Sequence, residues 1–318
     1  MLPYVRGAAI ERTAIAECRR VLAEQSKSFA LASRLLPPSC RDEVAVVYAF
    51  CRHVDDAIDR TPRDHRRAAL ARLHAEVDAV YANRPPADRT LVAFAAVVHA
   101  RRIPRAYVDE LLAGMAMDVD GAAYATADDL YRYAYRVAGV VGLMLCHVWG
   151  LRDPRALPGA AQLGIAMQLT NVCRDVEEDL RDGRVYLPRA LLGGELRAVP
   201  PDGSPARDAV RTAVATVLLD ADRLYRAADA AMVALPLRVA LAVRAARLVY
   251  AAIGDRLRAR GHDPFRGRAV VSGPRKAWLL VRAVLTTAAT LPRRRGGAAR
   301  PPTEVVDFAR DVLPRTAA

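Results

Sequence analysis

Apolar residues recur at three- and four-residue intervals along most of the chain, and no useful stretch follows the two-residue alternation of a strand. The pattern predicts helices over about 11–25, 63–82 and 88–101, and, after a break at Pro37-Pro38, a helix capped by Ser39 that carries Asp55 to Asp59. Further helices are predicted from Pro104 to Asp120, then over 127–150, 158–180, 206–234, 236–260 and 275–291. Pro85-Pro86, the Gly- and Pro-rich run 192–205, Pro236 and the Gly261–Pro264 segment read as breaks between them. The reading is all-α, with ten or more helices packed in layers over residues 1–292 and a basic, Pro- and Arg-rich tail over 293–318.

Two helices stand out by side-chain content. Ala134, Ala138, Gly139 and Gly142 line the very apolar segment 127–150, which suits either close helix packing or room for a long apolar ligand. Ala277–Leu291 is apolar but short and interrupted by Arg282, and reads as a buried core helix in preference to one resting on a membrane.

Composition supports the helical reading: 53% of residues are hydrophobic and only 6% aromatic, with alanine, leucine, valine and arginine dominating. The formal charge of +13 suits a polyanionic partner such as an anionic lipid or a phosphorylated substrate. No nucleic-acid motif accompanies the basic residues, so no nucleic-acid partner is expected. Five cysteines without metal-ligand spacing fit a reduced compartment and give no structural zinc site. The first residues lack the apolar segment of a signal peptide, and no charge-free apolar stretch of about 18 residues predicts a membrane span. The expectation is a cytoplasmic protein that touches the inner face of the membrane peripherally, helped by the basic tail.

Candidate chemistry lies on two helices. Asn171, Asp175 and Asp179 recur every four residues with Gln168 on the same face, while Leu169, Val172, Val176 and Leu180 form a separate apolar stripe. Upstream, Asp55 and Asp59 are one turn apart with Asp56 between them, and Tyr48 and Arg52 precede them at helical spacing. One acidic face is ordinarily a solvated surface. Two of them, each with an arginine embedded (Arg52, Arg174), suggest facing walls that hold a diphosphate through hard divalent cations with oxygen ligands. Ser26 and Ser28 flank Lys27 at a helix junction, a weak phosphate signal by itself.

These motifs resemble the squalene/phytoene synthases over roughly residues 15–290. The resemblance rests on Ser26–Phe29, Tyr48–Asp59, Tyr133–Gly142, and Gln168–Asn171 through Tyr186-Leu187-Pro188. Cys51–Asp59, Ala116–Asp118 and Val137–Met144 are most similar to bacterial phytoene synthases. The resemblance implies an isoprenoid-synthase fold around a central cavity. It implies that Asp55, Asp56 and Asp59 on one wall and Asn171, Asp175 and Asp179 on the other bind Mg²⁺, with Mn²⁺ as an alternative. It further implies diphosphate contacts from Tyr48, Arg52, Arg174, Tyr250 and Arg268 with Ser26 and Ser28 nearby, and places Tyr133 and Gln168 beside the reacting carbons. The implied reaction is head-to-head condensation of two geranylgeranyl diphosphates through a cyclopropylcarbinyl diphosphate to phytoene, with no NADPH. A farnesyl-diphosphate-using relative making squalene, dehydrosqualene or a hopanoid precursor is the alternative within the family, and a non-catalytic basic membrane-binding scaffold the alternative outside it. Gln25 and Gly273-Pro274 depart from the family pattern, the latter interrupting a basic run before Arg275 and Lys276.

Overall fold

In the computed structural model, which describes residues 12–84, 88–151 and 153–293, the helical periodicity of the sequence becomes a layered helical assembly around one hydrophobic core. The first helices are α1 (Arg12–Gln25), α2 (Lys27–Ser33), α3 (Pro38–Asp59), α4 (Arg66–Tyr81), α5 (Arg89–Arg101) and α6 (Arg105–Val119). They are followed by α7 (Ala127–Ala134), α8 (Val140–Trp149), α9 (Leu157–Arg181), α10 (Arg189–Leu192), α11 (Pro205–Ala231), α12 (Leu237–Arg258) and α13 (Gly273–Ala288). No strand occurs among the described residues. Pro85-Pro86, the N-terminal segment before Arg12 and the basic tail from Arg294 lie outside them.

Local chemistry sets most boundaries. Asp88 caps α5 by accepting from the amides of Thr90 and Leu91 at 2.7 and 3.0 Å, and Thr126 with Asp129 forms a capping box at α7. Ser39 is not the cap of α3. The helix already starts at Pro38, whose ring presets the backbone angle and whose missing N–H needs no partner in the first turn. The expected helix 127–150 is continuous in space but contains a π-helical turn, Tyr135–Gly139, between α7 and α8.

Small residues at that turn serve close packing. A Cβ added at Gly164 of α9 would lie 2.3 Å from the Ala138 carbonyl oxygen, and one at Gly142 would lie 2.6 Å from that of Ala160. Both obstacles are backbone, so the glycines set how closely α8 and the π turn approach α9. Gly164→Ala is expected to destabilise the fold by about 1–3 kcal/mol, read as a lower chemical-denaturation midpoint. An unchanged midpoint would mean that the helices can separate at no cost.

The α12–α13 connection is held by a buried charge. Asp263, fully buried, accepts from Arg207 Nε and Nη2 at 3.2 and 3.0 Å, from Arg211 Nη2 at 2.9 Å, and from the Phe265 amide at 3.0 Å. Burial pushes its pKa up, but the donors from Arg211, Arg207 and Phe265 more than offset this and hold it below the usual value. A depressed pKa contributes stability that is present above the unfolded-state value near 3.8 and is lost as the pH falls through the folded one. Asp263→Ala, which strands Arg207 in the interior, is expected to cost about 3–5 kcal/mol. Denaturant titrations should show that gap at neutral pH and show it shrinking in acid; a gap independent of pH would remove the charge from the explanation.

The expected core helix at 275–291 is a correction. Only Leu279, Ala283 and Thr287 of α13 are buried, and Trp278, Val281, Val284 and Leu285 project outward. An apolar sequence alone does not bury a helix: α13 packs on α12 by one face, and no described element covers the other.

Candidate active site

Helices α3, α8, α9 and α12 surround a cavity of about 280 Å³. Its walls are almost entirely apolar, formed by α3 residues such as Val44 and Val47, α8 residues Val141 and Leu145, and α12 residues Ala242 and Ala246. At one end the polar residues collect: Tyr48 and Asp55 from α3, Gln168 and Asn171 from α9, and Tyr250 from α12. Helical periodicity explains the segregation, because on α3, α9 and α12 the residues one to about three turns before the polar groups present the same face to the same space. From Asn171 back to Gly159 the α9 wall runs about 18 Å at about 1.5 Å per residue.

The polar end is dense in charge. Asp56 is paired with Arg52 at 2.5 Å and Arg60 at 3.0 Å, and Asp59 with Arg184 at 2.5 Å. Asp175 takes both Arg174, whose Nε donates at 2.8 Å, and Arg268 at 3.2 Å, and Arg268 also reaches Glu178 at 3.2 Å. Arg268 therefore sits on the outer rim. Asp55 and Asp179 form no ion pair among the described residues, and both are pushed up to about 7. For Asp55 the causes are burial first and then Asp59; for Asp179 they are burial and then Asp175. Asp118 adds to the repulsion felt by both, so its charge acts on both walls.

Asp118 of α6 and Arg184 were not singled out by sequence reasoning as functional residues. Asp118 accepts from Tyr133 at 3.0 Å and from Tyr186 at 2.9 Å, tying α7 and the segment after α9 to α6. Tyr133 is buried in this network, its ring stacked on that of Tyr186 at 4.8 Å, and it does not line the cavity. Arg184 follows Gly183, which takes a left-handed conformation (φ 72°) beside Arg63, and Arg63 donates to the Asp182 carbonyl at 3.1 Å. This turn carries Arg184 from the end of α9 across to Asp59 on α3. The one signal in the sequence was a lone basic residue after a Gly, directly beyond the acidic period of α9.

The remaining candidate residues divide by position. Ser26 caps α2 through the Phe29 amide at 3.3 Å and is bonded to Tyr250, whose ring lies 5.2 Å from that of Phe29. Ser28 is half-buried and does not line the cavity. Burial pushes Tyr48 up to about 12 and also raises Tyr250, so both hydroxyls remain protonated donors near neutrality. Gln168 accepts from Asn171 Nδ2 at 3.3 Å, leaving the Asn171 Oδ1 buried with no partner.

Among the described residues, no three carboxylate, histidine or cysteine side chains already converge as a metal site. Arginines hold Asp56, Asp59 and Asp175 apart. The donor set nonetheless fits a hard cation. It combines two half-buried carboxylates that resist ionisation, a third at Asp118 that is also raised, and an orphaned amide oxygen at Asn171, all oxygen donors.

Comparison with known proteins places these features in context. The squalene/phytoene synthase family profile matches residues 22–275. Over 278 residues the chain is 41% identical to a phytoene synthase of Cereibacter sphaeroides, covering 82% of this chain and 77% of that protein. It is 40% identical to a 15-cis-phytoene synthase of Enterobacter agglomerans, covering 81% and 90%. Among solved structures, a dehydrosqualene synthase in complex with a ligand superposes with a TM-score of 0.78 at 29% identity, over 87% of this chain and 98% of that one.

Proposed function

The chain belongs to the squalene/phytoene synthase family and is a prenyltransferase, and from that premise we propose that it condenses two geranylgeranyl diphosphates head to head to phytoene. The observation that carries the substrate length is the depth of the apolar cavity. An extended geranylgeranyl chain is about 18 Å long and a farnesyl chain about 13 Å, at the ~1.2 Å per bond of an extended backbone. The α9 wall below Asn171 matches the former, and Leu151, Ala156 and Trp149 continue the lining beyond it.

The chemistry divides along the cavity. The reaction breaks an allylic C–O bond and must stabilise charge on the leaving diphosphate. Tyr48 and Tyr250 offer protonated hydroxyls at the polar end, and Arg52, Arg174 and Arg268 are guanidiniums one side chain away from it. Asp55, Asp59, Asn171, Asp175 and Asp179, with Asp56 behind them, would hold Mg²⁺. Bound there, the ion neutralises diphosphate charge as a Lewis acid. The apolar walls keep water from the allylic cation, so the double bond of the second substrate is the available nucleophile. Its attack, with loss of a proton as the three-membered ring closes, gives a cyclopropylcarbinyl diphosphate; departure of the second diphosphate, rearrangement and loss of a second proton give the product. Asp118 holds the Tyr133 and Tyr186 hydroxyls and thereby fixes the wall behind the reacting end.

We place residues 1–292 in one catalytic domain, with 293–318 as an appended tail. The protein works in the cytoplasm against the membrane that holds its lipophilic product; no described helix is long and apolar enough to cross it. The test is incubation of purified protein and MgCl₂ with geranylgeranyl or farnesyl diphosphate, followed by mass analysis of the extract. A C40 hydrocarbon from the former is expected. A C30 hydrocarbon from farnesyl diphosphate alone, as the likeness to dehydrosqualene synthase would allow, overturns the substrate; no product from either overturns the catalytic reading.

A further inference from the structure

The outer face of α13 is the most apolar uncovered surface among the described residues. Trp278, Val281, Val284 and Leu285 are 50, 57, 52 and 65% exposed, and Leu291 just beyond the helix is 50% exposed. These five are half of the ten large hydrophobic side chains exposed anywhere in the described structure, so the feature is a patch. At 100° per residue, Trp278, Val281, Val284 and Leu285 share one side of the helix, opposite Leu279, Ala283 and Thr287, which are buried.

The sequence around the patch carries charge of one sign. From Pro264 to Thr303 the sequence contains no Asp or Glu, while Arg266, Arg268, Arg275, Lys276, Arg282, Arg293, Arg294, Arg295 and Arg300 contribute nine positive charges. Two of them flank the central aromatic, with the Arg275 and Arg282 guanidiniums 4.7 and 5.8 Å from the Trp278 ring centre. An uncovered Trp/Val/Leu face with Arg275 and Arg282 beside its tryptophan, in a segment whose sequence holds no acid, matches the chemistry of an anionic bilayer surface. Chains insert under the apolar side chains, an indole sits at the headgroup level, and basic groups meet phosphates.

We propose that α13 is a membrane-docking helix that lies in the plane of an anionic bilayer, with Trp278, Val281, Val284 and Leu285 buried among the acyl chains. A second copy of this chain is a poorer occupant, because a two-fold contact sets the same basic edge against itself. The docking helix is also tied to the reaction site. Arg268, five residues before α13, contacts Asp175 and Glu178 on the rim, so docking brings the polar mouth of the cavity to the bilayer surface.

The experiment uses the full chain without substrate, so it fails or succeeds independently of the prenyl-transfer assay. Vesicles of phosphatidylcholine, with or without phosphatidylglycerol and with or without brominated acyl chains, are assayed by co-sedimentation and tryptophan emission. The chain has two tryptophans, and Trp149 lines the internal cavity. Binding to the anionic vesicles at low salt is expected, with brominated chains quenching wild-type emission and not that of Trp278→Phe. Val281→Glu with Leu285→Glu should weaken binding at least about tenfold with unchanged melting, since both side chains are already exposed. Wild-type affinity in that double variant overturns the proposal. So does a vesicle-free dimer that the same substitutions dissociate, which would assign the face to a second copy. Vesicle binding that emerges only when residues 303–318 are removed would assign it to the chain's own C-terminal segment.

Discussion

Asp55→Asn is expected to lower turnover on the order of 10²–10³-fold, the effect of removing one charge-stabilising group from a preorganised site, while making the chelator-treated protein more stable. Both outcomes come from one observation. The Asp55 carboxyl is half-buried, makes no ion pair among the described residues, and is pushed from 3.8 to about 7 by desolvation and then by Asp59. The folded state therefore holds its proton more tightly than the unfolded state does. The contribution to stability is complete below about 3.8 and is lost as the pH rises through about 7. Calorimetry in EDTA should show the wild type losing stability between roughly pH 4 and pH 7 by more than the asparagine variant. At the upper end the variant should lead by about 1–3 kcal/mol, the cost of an unpaired buried charge. Lower turnover with equal stability would mean that the carboxylate is not held against repulsion, and unchanged turnover would remove it from the site.

Ala242→Phe should change the product. Ala242 lines the cavity two turns before Tyr250 on α12, about 12 Å away at about 1.5 Å per residue. A phenyl ring there closes the tunnel near the length of a farnesyl chain and leaves the polar end untouched. The C40 hydrocarbon from geranylgeranyl diphosphate is expected to fall about 100-fold, the equivalent of about 2.7 kcal/mol. The C30 hydrocarbon from farnesyl diphosphate is expected to fall far less, shifting the ratio by at least about tenfold. Overpacking costs about 1–3 kcal/mol of stability, so a melting curve accompanies the assay. A parallel fall in both products with a normal melt would show that this depth does not measure chain length.

The two predictions differ in how far the sequence alone could have reached them. Asp55, Asp59, Asn171, Asp175 and Asp179 are spaced by the helical repeat, and their stripes follow from the geometry of one helix at a time. The same is true of the apolar stripe Leu169, Val172 and Val176, all buried as the period requires. Periodicity also located most helices. It missed the interruption at Tyr135–Gly139 and the start of α3 at Pro38, where the deciding factors are a neighbouring backbone and a proline's missing donor.

Contacts between distant parts of the chain were out of reach. Asp118 lies 63 residues from Asp55 and 61 from Asp179, and nothing local says that its charge acts on both. Arg184 reaches Asp59 only because Gly183 reverses the chain beside Arg63. Gly142 suited either close packing or room for a ligand in the sequence, and its missing Cβ makes room for the Ala160 carbonyl. The apolar residues of α13 suggested burial, and the absence of a described element over them left them exposed. The sequence by itself determined the helices, the two acidic stripes and the family, because each depends on neighbours along the chain. Only the tertiary structure decided the cavity's depth, the charge summed at its mouth and the free face of α13, because each depends on which distant helices meet.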